Sequence, residues 1–273
     1  MSYLKRGNGT LDYMPYRLAE SRLLFRGPKP DLTGRFNAFL GGTETYGKFI
    51  PEPFPARLAR ETGVASVNFG VLNAGVDVFL ATPAVLQVAQ RARKTVIQVP
   101  CAQNLSNRYY KVHPRRNDRF VGASNVMKMV FKEVDFTEFH FTRHMLGALA
   151  ARAPDRFTTL RTELQQAWVA RMKMLINLIG GEIVLLWMSD HAPDADQAGI
   201  DLGTDPVLVN RDMVERLRPL VSDIVEVVAS PETRSNGLAG MVCGEMEKLA
   251  AQHMLGPAVH KQVAQRLKPV LVQ

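Results

Sequence analysis

Cysteine is scarce in this 273-residue chain: Cys101 and Cys243 are the only two, far apart and without a CxxC spacing. That excludes a disulfide framework and a Cys-based zinc site, and it reads both as ordinary buried thiols. Long apolar runs are also lacking. The nearest, LINLIGGEIVLLWM, falls short of the roughly 18 residues a membrane span needs and carries Glu182 in its middle. The opening MSYLKRGNGTLDYMPYRLAESRLLFRG has no uninterrupted apolar stretch of signal-peptide length and no small-residue cleavage pattern. The expectation is a soluble, cytoplasmic protein with no membrane partner. Aromatic residues make up only 8%, and no zinc-finger, RRM or helix-turn-helix spacing occurs, so nucleic acid is not expected despite a formal charge of +8.

What is present is a core-forming composition, 46% hydrophobic and 22% charged, arranged in alternation. Residues 1–35, broken by Gly7, Gly9, Pro15, Gly27, Pro28 and Pro30, read as an irregular N-terminal arm. One domain over 36–273 follows. Strands are expected at FNAFL (36–40), SVNFGV (66–71), KTVIQVP (94–100), EIVLLWM (182–188) and DIVEVVA (223–229), with amphipathic helices between them. Residues 120–179 read as a helical insertion, and the tail from Leu238 to Val270 as helix broken at Gly256 and Pro257. This alternation predicts an α/β fold: a three-layer α/β/α, flavodoxin-like, doubly wound parallel five-stranded sheet, with ligands beyond the carboxyl ends of its strands.

At the carboxyl end of the first strand lies FLGGTETYGK, residues 39–48. Gly42 to Lys48 matches the first seven positions of a nucleotide P-loop. Phe49 then stands where a magnesium-binding hydroxyl belongs, and Pro51, Pro53 and Pro55 stop a helix from running on from the lysine. A plain tight bend, with glycines turning the chain and threonines satisfying backbone groups, is the simplest alternative.

The same stretch resembles the nucleophile turn of the SGNH or GDSL hydrolases, aligning without a gap, with Gly42 in place of the aspartate and Thr43 in place of the serine. Two further blocks follow in order: VNFGVLNAG places Gly70 after the second strand, and CAQNLSN places Asn104 after the third. The resemblance covers roughly residues 36–110. It implies Thr43 at the nucleophile position and Gly70 and Asn104 on the oxyanion side. The superfamily's closing Asp-x-x-His finds a weak echo in AAQHMLGPAVHKQVAQRLKPVL, with Ala250 at the aspartate position and His253 at the histidine. His260 or the pair Asp190-His191 are substitutes for the base. The whole chain is also similar to an uncharacterised bacterial family of unknown function carrying GGTETYG, the asparagine segment and HPRRNDRF.

Threonine is a handicapped serine here, since its hydroxyl needs a base and its methyl crowds attack. Two functions therefore stand side by side. One is an atypical SGNH-like ester or acyl hydrolase acting on a small or carbohydrate-linked, oxygen-rich substrate. The other is a non-catalytic binding protein using the same pocket for an anionic or carbohydrate ligand. Gly42, Thr45, Asn73, Arg108, Arg115 and Arg116 are the expected ligand contacts, the arginines because NRYYKVHPRRNDRF (107–120) follows the third strand and guanidinium forks clamp anions. His140 and His144 share the four-residue spacing of a metal pair but lack HExxH, so no metal and no cofactor is expected. Transfer from a nucleotide or sulfate donor, resting on Lys48 and the basic loop, is a third possibility. Oligomeric state is not readable.

Overall fold

The computed structural model describes residues 11–18, 20–194, 202, 205–235 and 237–272. Five parallel strands form the central sheet: β1 (Phe36–Gly41), β2 (Ala65–Gly70), β3 (Thr95–Gln98), β6 (Ile183–Ser189) and β7 (Asp223–Val228). Their spatial order is β2-β1-β3-β6-β7. Leaving out the β4–β5 hairpin described below, this is the 2-1-3-4-5 order of flavodoxin-like sheets, in which the order of strand addition reverses between the first and third strands.

Alternation along the strands builds two cores, as a two-residue side-chain period requires. Phe39, Val96, Val184, Leu186 and Val225 face one side, under α2 (Phe54–Thr62) and α11 (Pro257–Val272). Ala38, Leu40, Phe69, Ile97, Leu185 and Trp187 face the other, where α3 (Val76–Leu80), α4 (Pro83–Arg91) and α7 (Pro154–Ile179) pack. Helix α7 is the longest element. Its Phe157, Leu160, Leu164, Trp168, Met172, Leu175 and Ile179 recur every three or four residues and are all buried, forming one apolar stripe. The Trp168 indole N–H donates to the Pro100 carbonyl at 2.8 Å, tying that stripe to the carboxyl end of β3.

Two departures from the sequence pattern matter. Within the basic stretch the chain forms an antiparallel hairpin, β4 (Tyr110–His113) and β5 (Arg116–Ala123). Tyr110, Val112 and Phe120 are buried while Lys111, Arg115, Arg116 and Val121 are exposed, so half of a segment that reads as a charged loop is core. The helices of the middle begin only with α5 (Asn125–Val130), followed by α6 (Thr142–Arg152) and α7. The described residues of 11–35 are irregular and mostly exposed or half-buried, but Tyr16, Leu18, Leu23, Phe25 and Arg26 are buried, and Phe25 lies edge-on to Phe69 at 5.1 Å. Cys101 is buried and Cys243 only partly so. No helix among the described residues is long and apolar enough to cross a membrane.

Candidate functional site at the carboxyl edge of the sheet

Strand β1 ends at Gly41, and a four-residue helical turn, α1 (Thr43–Tyr46), closes on Gly47 at φ +72. The next helix waits until Phe54, as the three prolines dictate. Lys48 lies over the Phe49 ring at 4.5 Å and pairs with Glu247 at 3.7 Å. No helix starts at the lysine, so the P-loop likeness has no structural counterpart.

A residue that sequence reasoning missed organises the turn. Gln98, the last of β3, accepts from Gly42 N (3.1 Å), Thr45 N (3.1 Å) and Thr45 Oγ1 (2.6 Å) through its single Oε1. Thr45 is fully buried. Thr45 and the Gly42 amide, both expected to touch a ligand, are instead spent on holding the turn to β3.

Thr43 remains partly exposed, and its hydroxyl is fixed by one residue. It donates to Asn73 Oδ1 at 3.2 Å and accepts from Asn73 N at 2.9 Å. Asn73 sits at φ +53, a left-handed conformation that asparagine tolerates better than most residues. That conformation turns its N–H toward Thr43. Its side-chain Nδ2 donates to Asp118 Oδ2 at 3.2 Å, and its carbonyl accepts from Asn104 Nδ2 at 3.1 Å. Asn104 Oδ1 in turn accepts from Thr142 Oγ1 at 2.8 Å. Thr43, Asn73, Asn104, Asp118 and Thr142 thus form one connected network.

Gly70 does not play the expected part. Its N–H donates to Asn68 Oδ1 at 2.8 Å and is not available to an oxyanion. A side chain there would place Cβ 2.1 Å from Tyr46 N, so glycine is required for the α1 backbone to lie against β2. The amide that faces the Thr43 hydroxyl belongs to Asn73, three residues on.

The histidines separate clearly. His253 is exposed beyond α10 (Lys248–Gln252). His260 is wholly buried in α11: its Nδ1 accepts from Phe54 N at 3.2 Å, its ring stacks on Phe54, and its Nε2 lies 3.6 Å from Glu44 Oε2. Neither contacts Thr43: His260 Nδ1 is taken by Phe54 N, while its Nε2 and Glu44 Oε2 are buried 3.6 Å apart with no hydrogen-bond partner among the described residues. His191, just after β6, is the histidine with base-like surroundings. Ser189 Oγ donates to the Asp205 carbonyl at 2.8 Å, so it accepts from His191 Nδ1, also at 2.8 Å. Asp190 Oδ1, 3.0 Å from the same nitrogen, accepts as well. The carboxylate can only accept, so the proton sits on Nδ1, and among the described residues no hydrogen bond is made by Nε2. The hydrogen bond from His191 holds the Asp190 carboxyl below its ordinary value, against the opposing effect of burial.

The three arginines do not converge on this network. Arg108 is paired with Glu163 at 2.9 Å and lies over Tyr109, while Arg115 and Arg116 are exposed at the hairpin turn. His140 and His144 are both exposed, and among the described residues no group of three or more His, Cys, Asp or Glu side chains is placed to hold a metal ion.

No curated protein matches the chain. A family model described as a domain of unknown function, DUF6473, matches residues 1–273. Among solved structures, a lipase from a goat rumen metagenome is 11% identical with a TM-score of 0.47, covering 86% of this chain and 97% of its own. A protein from Lactobacillus plantarum is 13% identical with a TM-score of 0.37, over 87% of this chain and 96% of that one. A gut microbial diltiazem-metabolizing enzyme is 12% identical with a TM-score of 0.38; 88% of this chain is covered but only 47% of the enzyme. Likeness at these identities and scores bears on neither activity nor substrate.

Proposed function

This chain belongs to the DUF6473 family, a membership that assigns no activity, and from the site itself we propose an atypical, SGNH-like ester or acyl hydrolase. The observation that carries it is the Asp190–His191 pair, tautomer fixed and Nε2 without a hydrogen bond among the described residues, on the same sheet edge as the Thr43 turn. Strands β1 and β6 are two places apart, about 10 Å at the usual spacing, a gap that side chains, a water and the reacting group of a substrate fill. In this scheme Thr43 Oγ attacks the acyl carbon and His191 Nε2 takes its proton, through one water where needed, while Asp190 steadies the imidazolium. The leaving alcohol departs with that proton, and water, activated by the same nitrogen, cleaves the acyl-threonine. The Asn73 N–H, which donates to Thr43 Oγ1 in the resting protein, is the backbone donor beside the attacking oxygen. The substrate class is a small or carbohydrate-linked ester, in keeping with the amide and hydroxyl groups of Asn73 and Thr43 at this sheet edge.

A second proposal, a non-catalytic binding pocket, draws on a specific fact: the Thr43 hydroxyl proton rests on an amide oxygen, Asn73 Oδ1, and not on a base. Hydrolysis of short-chain aryl esters by wild type, Thr43→Ala, His191→Ala and His253→Ala separates the two. The hydrolase requires activity that Thr43→Ala and His191→Ala abolish and His253→Ala keeps. Absence of turnover, together with a ligand-induced rise in Tm from a panel of sugars and acylated sugars, supports the binding pocket instead.

A further inference from the structure

The irregular arm meets the Thr43 turn from behind, and its contacts there are unusually polar. Arg26 is 7% exposed, and among the described residues no carboxylate pairs with it. Its NH1 donates to the carbonyls of Gly47 (2.5 Å) and Tyr46 (3.3 Å), and its NH2 donates to Pro51 (2.9 Å). A cation placed on the last carbonyls of α1 satisfies acceptors that a helix leaves orphaned at its end. Tyr13 packs its ring on Tyr46 at 5.2 Å, lies under the Arg26 guanidinium at 5.2 Å, and accepts the Phe49 N–H on its hydroxyl at 3.0 Å.

Phe49 needs such holding. It sits at φ +66, an unfavourable conformation for a bulky residue, and persists only where surrounding contacts over-determine it. Val242 N, from the chain's last third, donates to the Phe49 carbonyl at 2.9 Å. The stretch from Tyr46 to Pro51 is therefore held by bonds from both the arm and the chain's last third. Thr43 lies one helical turn before that stretch, and the backbone bond from Gly47 N to Thr43 O, 3.0 Å, joins the two directly.

We infer that Arg26, seconded by Tyr13, is a positioning residue: it sets the curvature of α1 and through it the place of the Thr43 hydroxyl, which makes the arm part of the site. The inference rests on the reading of Thr43 as the reactive group, but its test does not. The variants are Arg26→Lys, which keeps charge but loses the fork to three carbonyls, and Tyr13→Phe, which deletes only the acceptor for Phe49 N–H. Methyl-labelled threonine NMR reads the turn directly, with Thr158 and Thr162 on the exposed side of α7 as remote controls.

Both variants are expected to fold, to shift the Thr43 and Thr45 methyl resonances, and to leave those of Thr158 and Thr162 in place. Where wild type hydrolyses an aryl ester, kcat should fall about tenfold to a hundredfold, the scale of a small misplacement, with KM changed less than about twofold. Unmoved Thr43 and Thr45 resonances in a folded variant overturn the inference, as does unchanged kcat. If Arg26→Lys does not fold, Tyr13→Phe decides alone. A wild type that hydrolyses nothing removes the hydrolase proposal while the NMR result still decides the role of the arm.

Discussion

Replacing Gln98 by leucine is the sharpest test of how the turn is built. One side-chain oxygen accepts three donors, of which Thr45 N–H and Thr45 O–H are fully buried and Gly42 N–H is half-buried. Leucine fills similar space and offers no acceptor. The Gly42 amide regains water, but the two Thr45 donors do not. At about 1–3 kcal/mol for each buried group left unsatisfied, Gln98→Leu should cost about 2–6 kcal/mol. Thr45→Val removes one donor and leaves Oε1 with two others, so its cost should stay near 1 kcal/mol. In the double variant only the residue-45 N–H is orphaned, and the combined loss should fall short of the sum by about 1 kcal/mol or more. Urea unfolding, followed by far-UV circular dichroism at unchanged m, measures all three. A Gln98→Leu protein within about 0.5 kcal/mol of wild type, the ordinary surface range, would falsify the picture of one acceptor organising the turn, and strict additivity would equally count against it.

Other consequences are quicker to state. Gly70→Ala forces Cβ against the Tyr46 backbone at 2.1 Å and should destabilise by about 3 kcal/mol or more, whereas Gly34→Ala, with nothing within 4 Å, should be nearly neutral in the same melt. Phe25→Ala should cost about 3–5 kcal/mol, since a wholly buried ring leaves a cavity; a loss under about 1 kcal/mol would mean the arm is not anchored through it. Asp190, depressed by its bond from His191, contributes stability that is fully present above the ordinary carboxylate value of 3.8 and is lost as pH falls through its lower folded value. Acid titration of stability should therefore lose part of its slope below that value in Asp190→Asn, and identical slopes in the two proteins would show that the pair is not linked to folding.

The sheet was legible because strands buried on both faces are near-continuous apolar runs, and FNAFL, SVNFGV and EIVLLWM stand out as such. The hairpin was not legible. In β4 the buried Tyr110 and Val112 alternate with lysine, but in β5 the buried Asn117 and Phe120 are three apart across register shifts, so no two-residue period marks strands of only four and eight residues. In the site, Thr43, Asn73 and Asn104 were found because the turns after the first three strands carry them. Gln98 escaped notice because a single polar residue at the end of an apolar strand gives no spacing signal, although its position beside β1 in the sheet makes it the nearest acceptor to the turn. Gly70 was given a ligand-facing amide where packing against Tyr46 demanded the glycine. For the histidines, the likeness to a closing Asp-x-x-His pointed to the tail, where His253 is exposed and His260 packs at the interface of α11 with α2, while Asp190-His191 follows β6 directly.

These placements explain why the turn resembles two motifs and performs as neither in the usual manner. A phosphate loop needs free backbone amides at the start of a long helix, but here Gly42 N and Thr45 N are already committed to Gln98 and the helix lasts four residues. A nucleophile elbow needs a hydroxyl whose proton can leave, but the Thr43 proton points at Asn73 Oδ1. Under the proposed hydrolase reading, reaction would require one rearrangement, rotation of the Thr43 hydroxyl away from Asn73 when substrate arrives. Asn73→Asp turns that amide oxygen into a carboxylate that holds the proton more strongly, by the usual advantage of charged over neutral hydrogen bonds. It also replaces the amide donor to Asp118 with a second negative charge. A hydrolase gated in this way should lose kcat in Asn73→Asp and recover it in Asn73→Gly, which keeps the left-handed backbone and its N–H while removing the side-chain acceptor. Equal activity in both variants would show that the Thr43–Asn73 bond plays no part in turnover.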